Sequence, residues 1–304
     1  EDPRDFALWK AAKAGEVCWQ SPWGEGRPGW HIECSAMTKA CLGNTFDIHG
    51  GGPDLPFPHH ENEIAQSEAA NGCKFVNFWM HAGAVRVDGD KMSKSLGNFF
   101  TIREVLKNYH PEVVRFLIIS SHYRSAINYS EDNLVDSKSG LDRFYQTLKN
   151  YSDVVAVDDL LLTVDEAILA TVEHQAVMIA FNEQFINSMN DDFNTPQALS
   201  VMFDMLRAVN TAAKVDVALA NLLVTQLKRM SNILGLLQAD PISFLQRKST
   251  AEGLSAEAIE AYIVERVDAK LAKNYAKADE IRQLLIDQKI IVEDFPTGTT
   301  WRRE

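Results

Sequence analysis

The spacing of apolar residues along the chain changes near Glu112. Before it, short apolar runs such as Phe78-Trp79-Met80 alternate with glycine, proline and other turn-forming residues. Short runs between turns are typical of strands and loops in an α/β region. Beyond it, Val113, Phe116 and Leu117 recur at helical spacing. The order of the two patterns predicts an α/β region followed by an α-helical region.

Residues 131–246 are predicted to be mostly helical, because apolar residues recur there at i, i+3, i+4 and i+7. Thr195 is a predicted N-cap residue, and Pro196 suits the first turn of the helix that follows. Met202 and Phe203 belong to the apolar stripe of that helix, which we interpret as core packing. Successive amphipathic helices of this kind favour an antiparallel helical bundle.

The C-terminal part of the chain follows a polar stretch, residues 246–253, which we interpret as a linker. Beyond it, residues 256–267 and 275–285 are predicted to form two helices. The segment 290–301 combines an apolar run with proline and glycine, and predicts a β-hairpin. We therefore expect a small helical module that ends in a hairpin.

The composition is that of a globular protein. The chain has 304 residues, of which 46% are hydrophobic and 24% charged. No apolar run approaches the roughly 20 residues that a membrane-spanning helix needs, and the first residues lack the features of a signal peptide. The four cysteines, Cys18, Cys34, Cys41 and Cys73, show no CxxC spacing. We therefore expect reduced thiols in a cytoplasmic protein without membrane contact.

A short polar segment, Lys91-Met92-Ser93-Lys94-Ser95, carries the first candidate chemistry. Two ammonium groups in a loop suit a polyphosphate, because each lysine can stabilise charge that develops on phosphate oxygens. The segment resembles the ATP-binding signature loop of class I aminoacyl-tRNA synthetases. The resemblance implies that Lys94 and Lys91 are catalytic and contact ATP, with Ser93 also in the ATP site.

A second candidate site combines a thiol, an imidazole and a carboxylate. His59 and Glu63 are four residues apart, so a helix would place them on one face. His60 and Glu63 are also neighbours, at i and i+3, so the spacing leaves the choice of histidine open. With Cys34, these side chains offer sulfur, nitrogen and oxygen donors, a set that zinc accepts.

Longer segments resemble one family, the cysteinyl-tRNA synthetases. They are residues 5–10, 29–37, 46–52, 57–63 and 298–303, which occur in the order of the family's motifs and span nearly the whole chain. The resemblance implies that His59 is the histidine ligand, and that Cys34, His59 and Glu63 hold one Zn²⁺ per subunit. It also implies a reason for the metal, because apolar pockets separate cysteine from near-isosteric serine by only about a hundredfold.

The resemblance implies a cysteine-activating enzyme that uses ATP with Mg²⁺ and then charges tRNA(Cys). Trp30 would form a wall of the L-cysteine pocket, with core packing as the alternative. His31, Gly51 and Asp54 are candidates for ATP contacts or for support of the metal ligands.

A net charge of −12 argues against a protein that coats nucleic acid through a basic surface. The tRNA would therefore be held by local basic patches. Arg302 and Arg303 are candidate phosphate contacts, although two terminal arginines are equally often solvated. We expect the protein to be a monomer.

The implied fold is the C-terminal part of a Rossmann-like class I catalytic domain, then a helical bundle and a small C-terminal module. Residues 1–88 would be the remainder of the catalytic domain with its zinc site, and residues 89–130 the signature loop and a connecting region that contacts the tRNA stem. Residues 131–248 would form the bundle, and residues 252–304 an anticodon-binding module.

The family's N-terminal His-Ile-Gly-His signature and a further zinc-ligating cysteine do not occur in this sequence. We therefore expect an incomplete fragment that is inactive alone. One alternative is a related ligase that transfers cysteine to an amino sugar in thiol biosynthesis, which has no use for an anticodon-binding module. The other is a non-enzymatic module that binds zinc or tRNA.

Overall fold

The computed structural model describes residues 5–87, 89–91, 101–154, 172–247, 253–295 and 298–303. The chain divides into two compact units. The first comprises Glu1–Arg86 with Tyr123–Ile127, and the second comprises Val87–His122 with Asn128–Glu304. Within the ranges just given, no helix is long and apolar enough to cross a membrane.

The first unit is an α/β unit built around a parallel strand pair. Its elements are β1 (Trp9–Ala11), β2 (Gly26–Pro28), α1 (His31–Leu42), β3 (Phe46–Gly51), a π-helical turn (Pro56–His60), α2 (Glu61–Asn71) and β4 (Val76–His81). Strands β1 and β2 pair in antiparallel fashion, whereas β3 and β4 pair in parallel across the α2 crossover. Helix α2 ends at Gly72, whose φ of 67° is left-handed and therefore favours glycine.

Short strands and helices lead into the second unit. They are β5 (Val85–Val87), β6 (Asp90–Lys91), α3 (Ile102–Asn108), α4 (Pro111–Ile119) and β7 (Ile127–Tyr129). The three strands form a sheet in the order β6-β5-β7. Helix α3 begins with a capping box, in which Thr101 and Glu104 exchange hydrogen bonds with each other's backbone N–H groups.

The predicted bundle consists of long helices around one apolar core. They are α5 (Glu131–Leu148), α6 (Val172–Asn190), α7 (Thr195–Ala212) and α8 (Val217–Leu234), followed by α9 (Pro241–Gln246). Met202 and Met205 of α7 are fully buried, which confirms that the methionine stripe is core packing. The N-cap prediction was wrong by one residue: Asn194, not Thr195, caps α7, because its side-chain oxygen accepts the N–H of Gln197 at 3.2 Å.

A buried carboxylate ties α4 to the bundle. One oxygen of Glu112 accepts hydrogen bonds from the Tyr145 hydroxyl (2.7 Å) and the Leu237 N–H (2.8 Å). The other accepts from the N–H groups of Gln238 (2.9 Å) and Ala239 (3.2 Å). Burial, followed by the charge of Glu112, raises the pKa of Tyr145, so this phenol remains a hydrogen-bond donor. The negative charge is thus fully satisfied inside the protein.

The C-terminal module contains α10 (Ala256–Leu271), α11 (Tyr275–Asp287) and the antiparallel hairpin of β8 (Ile290–Phe295) and β9 (Gly298–Arg303). It confirms the two predicted helices and the hairpin. The module has its own small core, formed by Ile259, Ile263, Ile281, Leu285, Ile290 and Trp301. Arg303 is partly buried, and its guanidinium donates to the carbonyl oxygens of Gln246 (3.1 Å) and Leu254 (2.8 Å), so it helps to hold the module together, and its phosphate contact stays a prediction.

Candidate metal centre

The three predicted metal ligands come together in the first unit. Cys34 lies on α1, His59 in the π-helical turn and Glu63 on α2, and one donor atom from each lies within 4.8 Å of the others. His59 Nε2 and Glu63 Oε1 are 2.6 Å apart. Glu63 is fully buried and His59 nearly so, whereas Cys34 is half-buried. The arrangement therefore offers sulfur, nitrogen and oxygen donors to one point.

The local chain path explains how His59 and Glu63 share a face. The π-helical turn Pro56–His60 continues directly into α2, so the two residues are one helical turn apart. Gly51, at the end of β3, makes room for the turn: a Cβ there would lie 2.6 Å from Cε1 of His60. Gly51 is thus required by packing, and its predicted contact with ATP remains a prediction.

A second group of possible donors shares Glu63. His49 on β3, His60 and Glu63 also place one donor atom each within 4.8 Å of the others. His49 Nε2 is 2.6 Å from Glu63 Oε2, and His60 Nδ1 is 2.9 Å from Nε2 of His81 on β4. The sequence spacing did not choose between His59 and His60. Both lie beside Glu63, His59 in the group with Cys34 and His60 in the group with His49.

Sequence reasoning missed His49 and His81. His49 precedes Glu63 by 14 positions and His81 follows His60 by 21, so no local spacing relates either residue to the predicted metal ligands. The parallel register of β3 and β4 pairs His49 with Trp79 and Gly51 with His81, and so brings both rings to the carboxyl ends of the two strands. Ligands of open parallel sheets bind at this end of the strands, and that rule is the signal that could have pointed to these residues.

The donor set fits a metal ion. Glu63 Oε1 is buried and has no hydrogen-bond partner among the described residues, because its 2.6 Å contact with His59 Nε2 lacks hydrogen-bond geometry. A buried carboxylate oxygen without a donor is costly unless a cation neutralises it. Burial, and then the charges of Glu63 and Glu33, raise the pKa of the Cys34 thiol. A bound cation would reverse that effect and favour the thiolate.

Trp30 and His31 lie against the first group. The Trp30 indole stacks on the His59 ring, with centroids 4.8 Å apart, and is 61% exposed. That exposure does not fit core packing, and the predicted place of Trp30 in the wall of the amino-acid pocket stays a prediction. His31 Nδ1 lies 2.7 Å from His59 Nδ1, and burial, followed by the charge of His59, lowers the pKa of His31. Both effects favour the neutral form of the His31 imidazole.

The remaining predicted site residues are spread more widely. Asp54 is exposed in the turn between β3 and the π-helical segment. The backbone of Lys91 ends strand β6. The Lys91 side chain, Ser93 and Lys94 lie outside the described residues, so their roles in ATP binding and catalysis stay predictions.

Two family models match the chain. The model described as the catalytic domain of class I (C) tRNA synthetases matches residues 1–139, and the DALR domain model matches residues 184–238. Cysteine–tRNA ligases from Ectopseudomonas mendocina, Stutzerimonas stutzeri and Azotobacter vinelandii are 56%, 55% and 54% identical to it over 302 residues, 99% of this chain. The chain belongs to the cysteinyl-tRNA synthetase family.

The chain spans 61% of the length of each of these family members. Its fold is also similar to a leucyl-tRNA synthetase solved in a ternary complex, from Agrobacterium radiobacter K84, with a TM-score of 0.54. That similarity covers 72% of this chain and 32% of the other, at 15% identity. The similarity shows that this chain and the leucyl-tRNA synthetase share the class I synthetase fold and its helical extension.

Proposed function

We propose that the protein is a cysteine–tRNA ligase of the cytoplasm. The carboxylate of L-cysteine would attack the α-phosphorus of ATP, forming cysteinyl-adenylate and releasing pyrophosphate. The cysteinyl group would then pass to a ribose hydroxyl of the terminal adenosine of tRNA(Cys), releasing AMP. The observation that carries the proposal is the convergence of Cys34, His59 and a buried, donor-less oxygen of Glu63 beside an exposed indole.

Each residue of the metal centre has a role that follows from its surroundings. Cys34, His59 and Glu63 would hold a zinc ion, which supplies a direct bond to a substrate thiolate that a serine hydroxyl cannot match. His49 holds the second oxygen of Glu63, and the exposed face of Trp30 leaves an indole to flank the amino acid.

Adenylate formation is assigned to positioning and charge stabilisation. Lys94, with Lys91, would stabilise the charge that develops on the phosphates, and Ser93, His31, Gly51 and Asp54 are proposed ATP contacts. Gly51 ends β3, and the carboxyl ends of parallel strands are the usual place for a nucleotide. Mg²⁺ would accompany the ATP as part of the substrate.

The C-terminal half favours tRNA charging over cysteine transfer to an amino sugar. The module of α10, α11 and the hairpin folds around its own core in the second unit, whereas the residues of the metal centre belong to the first unit. An enzyme that transfers cysteine to an amino sugar has no need of such a module, whereas a tRNA is large enough to occupy it as well as the active site. We therefore assign the bundle and the module to tRNA binding, with the module at the anticodon.

The test compares two cysteine variants of the full-length protein. Cys34→Ser should lose most of the bound zinc and most of the cysteine-dependent pyrophosphate exchange, because a hydroxyl is a poor zinc ligand. Cys41→Ser, which alters an exposed thiol outside the metal centre, is the matched control and should retain both. One equivalent of zinc and unchanged cysteine affinity in Cys34→Ser would refute the assignment.

A further inference from the structure

A short hairpin in the first unit presents two exposed indoles. Trp19 and Gly26 exchange backbone hydrogen bonds of 2.8 and 3.0 Å, and the residues between them close on a turn. We call residues 19–26 the tryptophan hairpin. Trp23 at its tip is 80% exposed and Trp19 is 56% exposed, and neither indole contacts another aromatic ring or a cation among the described residues. Two such indoles on one hairpin are typical of a binding surface.

The tip of the tryptophan hairpin is held by its own hydrogen bonds. The Gly24 N–H donates to the Ser21 carbonyl oxygen at 3.0 Å, and the Ser21 hydroxyl donates to the Gly24 carbonyl oxygen at 2.6 Å. Ser21 Oγ also accepts the Trp23 N–H at 3.2 Å. Serine, proline and glycine are the residues that a β-turn favours at the positions of Ser21, Pro22 and Gly24. The backbone that carries the Trp23 indole is therefore ordered before a ligand binds, which lowers the entropy cost of binding.

Two cations lie opposite each other on the strands beside this hairpin. Lys10 of β1 and Arg27 of β2 are direct partners in the antiparallel register, so their side chains share one face. Like charges directly opposite each other are destabilising. Lys10 is exposed and forms no ion pair with any described residue, whereas Arg27 Nε lies 3.5 Å from Glu16. One carboxylate cannot neutralise both cations, so an anion bound between them would replace repulsion by attraction.

Both strands are joined directly to the metal centre. Strand β2 ends two residues before Trp30, whose indole stacks on the ring of the predicted metal ligand His59. Phe6, three residues before β1, lies edge-to-face against the His31 ring, with centroids 5.6 Å apart. The tryptophan hairpin and the cation pair therefore belong to a segment that starts and ends beside the site where the substrate thiol would be held.

Exposed indoles beside unneutralised cations suit an unpaired strand of nucleic acid. Bases without a pairing partner stack on aromatic rings, while lysine and arginine contact the phosphates that link them. Two indoles and two cations offer contacts to more than one nucleotide, so a short single strand uses this surface more fully than one ATP molecule does.

We propose that the tryptophan hairpin and the Lys10–Arg27 pair bind the unpaired 3′ end of tRNA(Cys) and position its terminal adenosine at the metal centre. The inference rests on the proposed function, in which the cysteinyl group passes to that adenosine. Trp23 would stack on a base of the 3′ end, and Lys10 and Arg27 would contact its phosphates. The proposal gives the first unit a role in the transfer step, separate from the tRNA binding assigned to the bundle and the module.

The first experiment compares two reactions of the full-length protein. Cysteine-dependent pyrophosphate exchange needs no RNA, whereas cysteinylation needs the 3′ end of the tRNA. Trp23→Ala should retain the exchange rate and lower kcat/KM for tRNA by about 5- to 150-fold, the range expected for the loss of one base–aromatic stack. Trp23→Phe keeps an aromatic ring and should recover most of the loss. Because the side chain is exposed, both variants should melt like the parent.

The second experiment measures binding of intact tRNA(Cys), and of the same tRNA without its unpaired 3′ nucleotides, by fluorescence anisotropy. Trp23→Ala should weaken binding of the intact tRNA only. Lys10→Gln should lower the slope of log K against log salt by about 0.7 for the intact tRNA, the effect of one phosphate contact to a single strand. Lys74→Gln is the matched control, since Lys74 is an exposed lysine of the same unit outside the strand pair, and it should leave the slope unchanged.

Unchanged cysteinylation by Trp23→Ala, with an active parent, would overturn the assignment of the hairpin and leave the proposed function intact. An equal loss of exchange and cysteinylation in Trp23→Ala or Lys10→Gln would also overturn it, because these residues would then serve the ATP step. Equal weakening of the intact and the shortened tRNA would place the contact elsewhere on the RNA and overturn the assignment too. A parent that catalyses neither reaction would overturn the proposed function itself.

Discussion

Replacing His49 tests how Glu63 is held in the metal centre. His49 Nε2 is 2.6 Å from Glu63 Oε2, and the Glu63 side chain is fully buried, so water cannot take the place of the lost donor. The other carboxylate oxygen forms no hydrogen bond within the described ranges, although it lies 2.6 Å from Nε2 of the fellow predicted ligand His59, so His49 supplies the hydrogen bond that orients this group from outside the ligand set. His49→Leu should therefore leave the carboxylate free to rotate away from the ligand position.

The expected loss of zinc affinity can be judged from other metal sites, in which residues that hydrogen-bond to a ligand hold that ligand in position. Loss of such a partner weakens metal binding by about 10- to 100-fold, which corresponds to about 1.4 to 2.8 kcal/mol. Because Glu63 is inaccessible to solvent, we expect the upper part of that range. His49→Gln, whose amide N–H can reach the position of Nε2, should recover most of the affinity.

The assay is competition for zinc between the protein and a chromophoric chelator, which does not depend on catalysis. Thermal melting of the zinc-free variants serves as the control for folding. Equal zinc affinity in parent and His49→Leu would refute the orienting role. A parent that binds two zinc ions and a variant that binds one would also refute it, because His49 would then be a ligand in the second group with His60.

Two further predictions concern stability. Glu112→Gln replaces one acceptor oxygen by an NH₂ group and leaves at least one N–H donor of residues 237–239 without its acceptor. We expect a loss of about 1 to 3 kcal/mol in the free energy of unfolding, seen as a lower melting temperature. The exposed control Glu183→Gln should melt like the parent, and an unshifted melting temperature in Glu112→Gln would contradict the prediction. Hydrogen bonds from Arg266, Lys270 and Thr299 hold the pKa of Asp294 well below its usual range. The stabilising effect of the ionised Asp294 should be complete above about pH 5 and decline as the pH falls below the unfolded pKa of about 3.9. Between pH 5 and 3 the melting temperature of the parent should therefore fall more than that of Asp294→Asn, and parallel curves would exclude this contribution.

Local sequence patterns determined most of the secondary structure in the C-terminal half. The apolar period located α7, α10 and α11, and the turn residues located the closing hairpin, because both depend on residues a few positions apart. The same patterns did not separate Asn194 from Thr195 as the cap of α7. Both side chains can cap a helix, and the backbone angles adopted at the turn decide which oxygen reaches the Gln197 N–H.

The sequence by itself also pointed to the candidate metal ligands, because His59 and Glu63 are one helical turn apart and the surrounding motifs resemble one family. Tertiary structure decided what surrounds them. The parallel register of β3 with β4 brings His49 and His81 beside Glu63 and His60, although His49 precedes Glu63 by 14 positions. A cavity lined by Lys138, Lys289 and Arg302 likewise joins elements far apart along the chain. Periodicity reports only neighbours within a turn or a strand, whereas packing determines which distant side chains share a site.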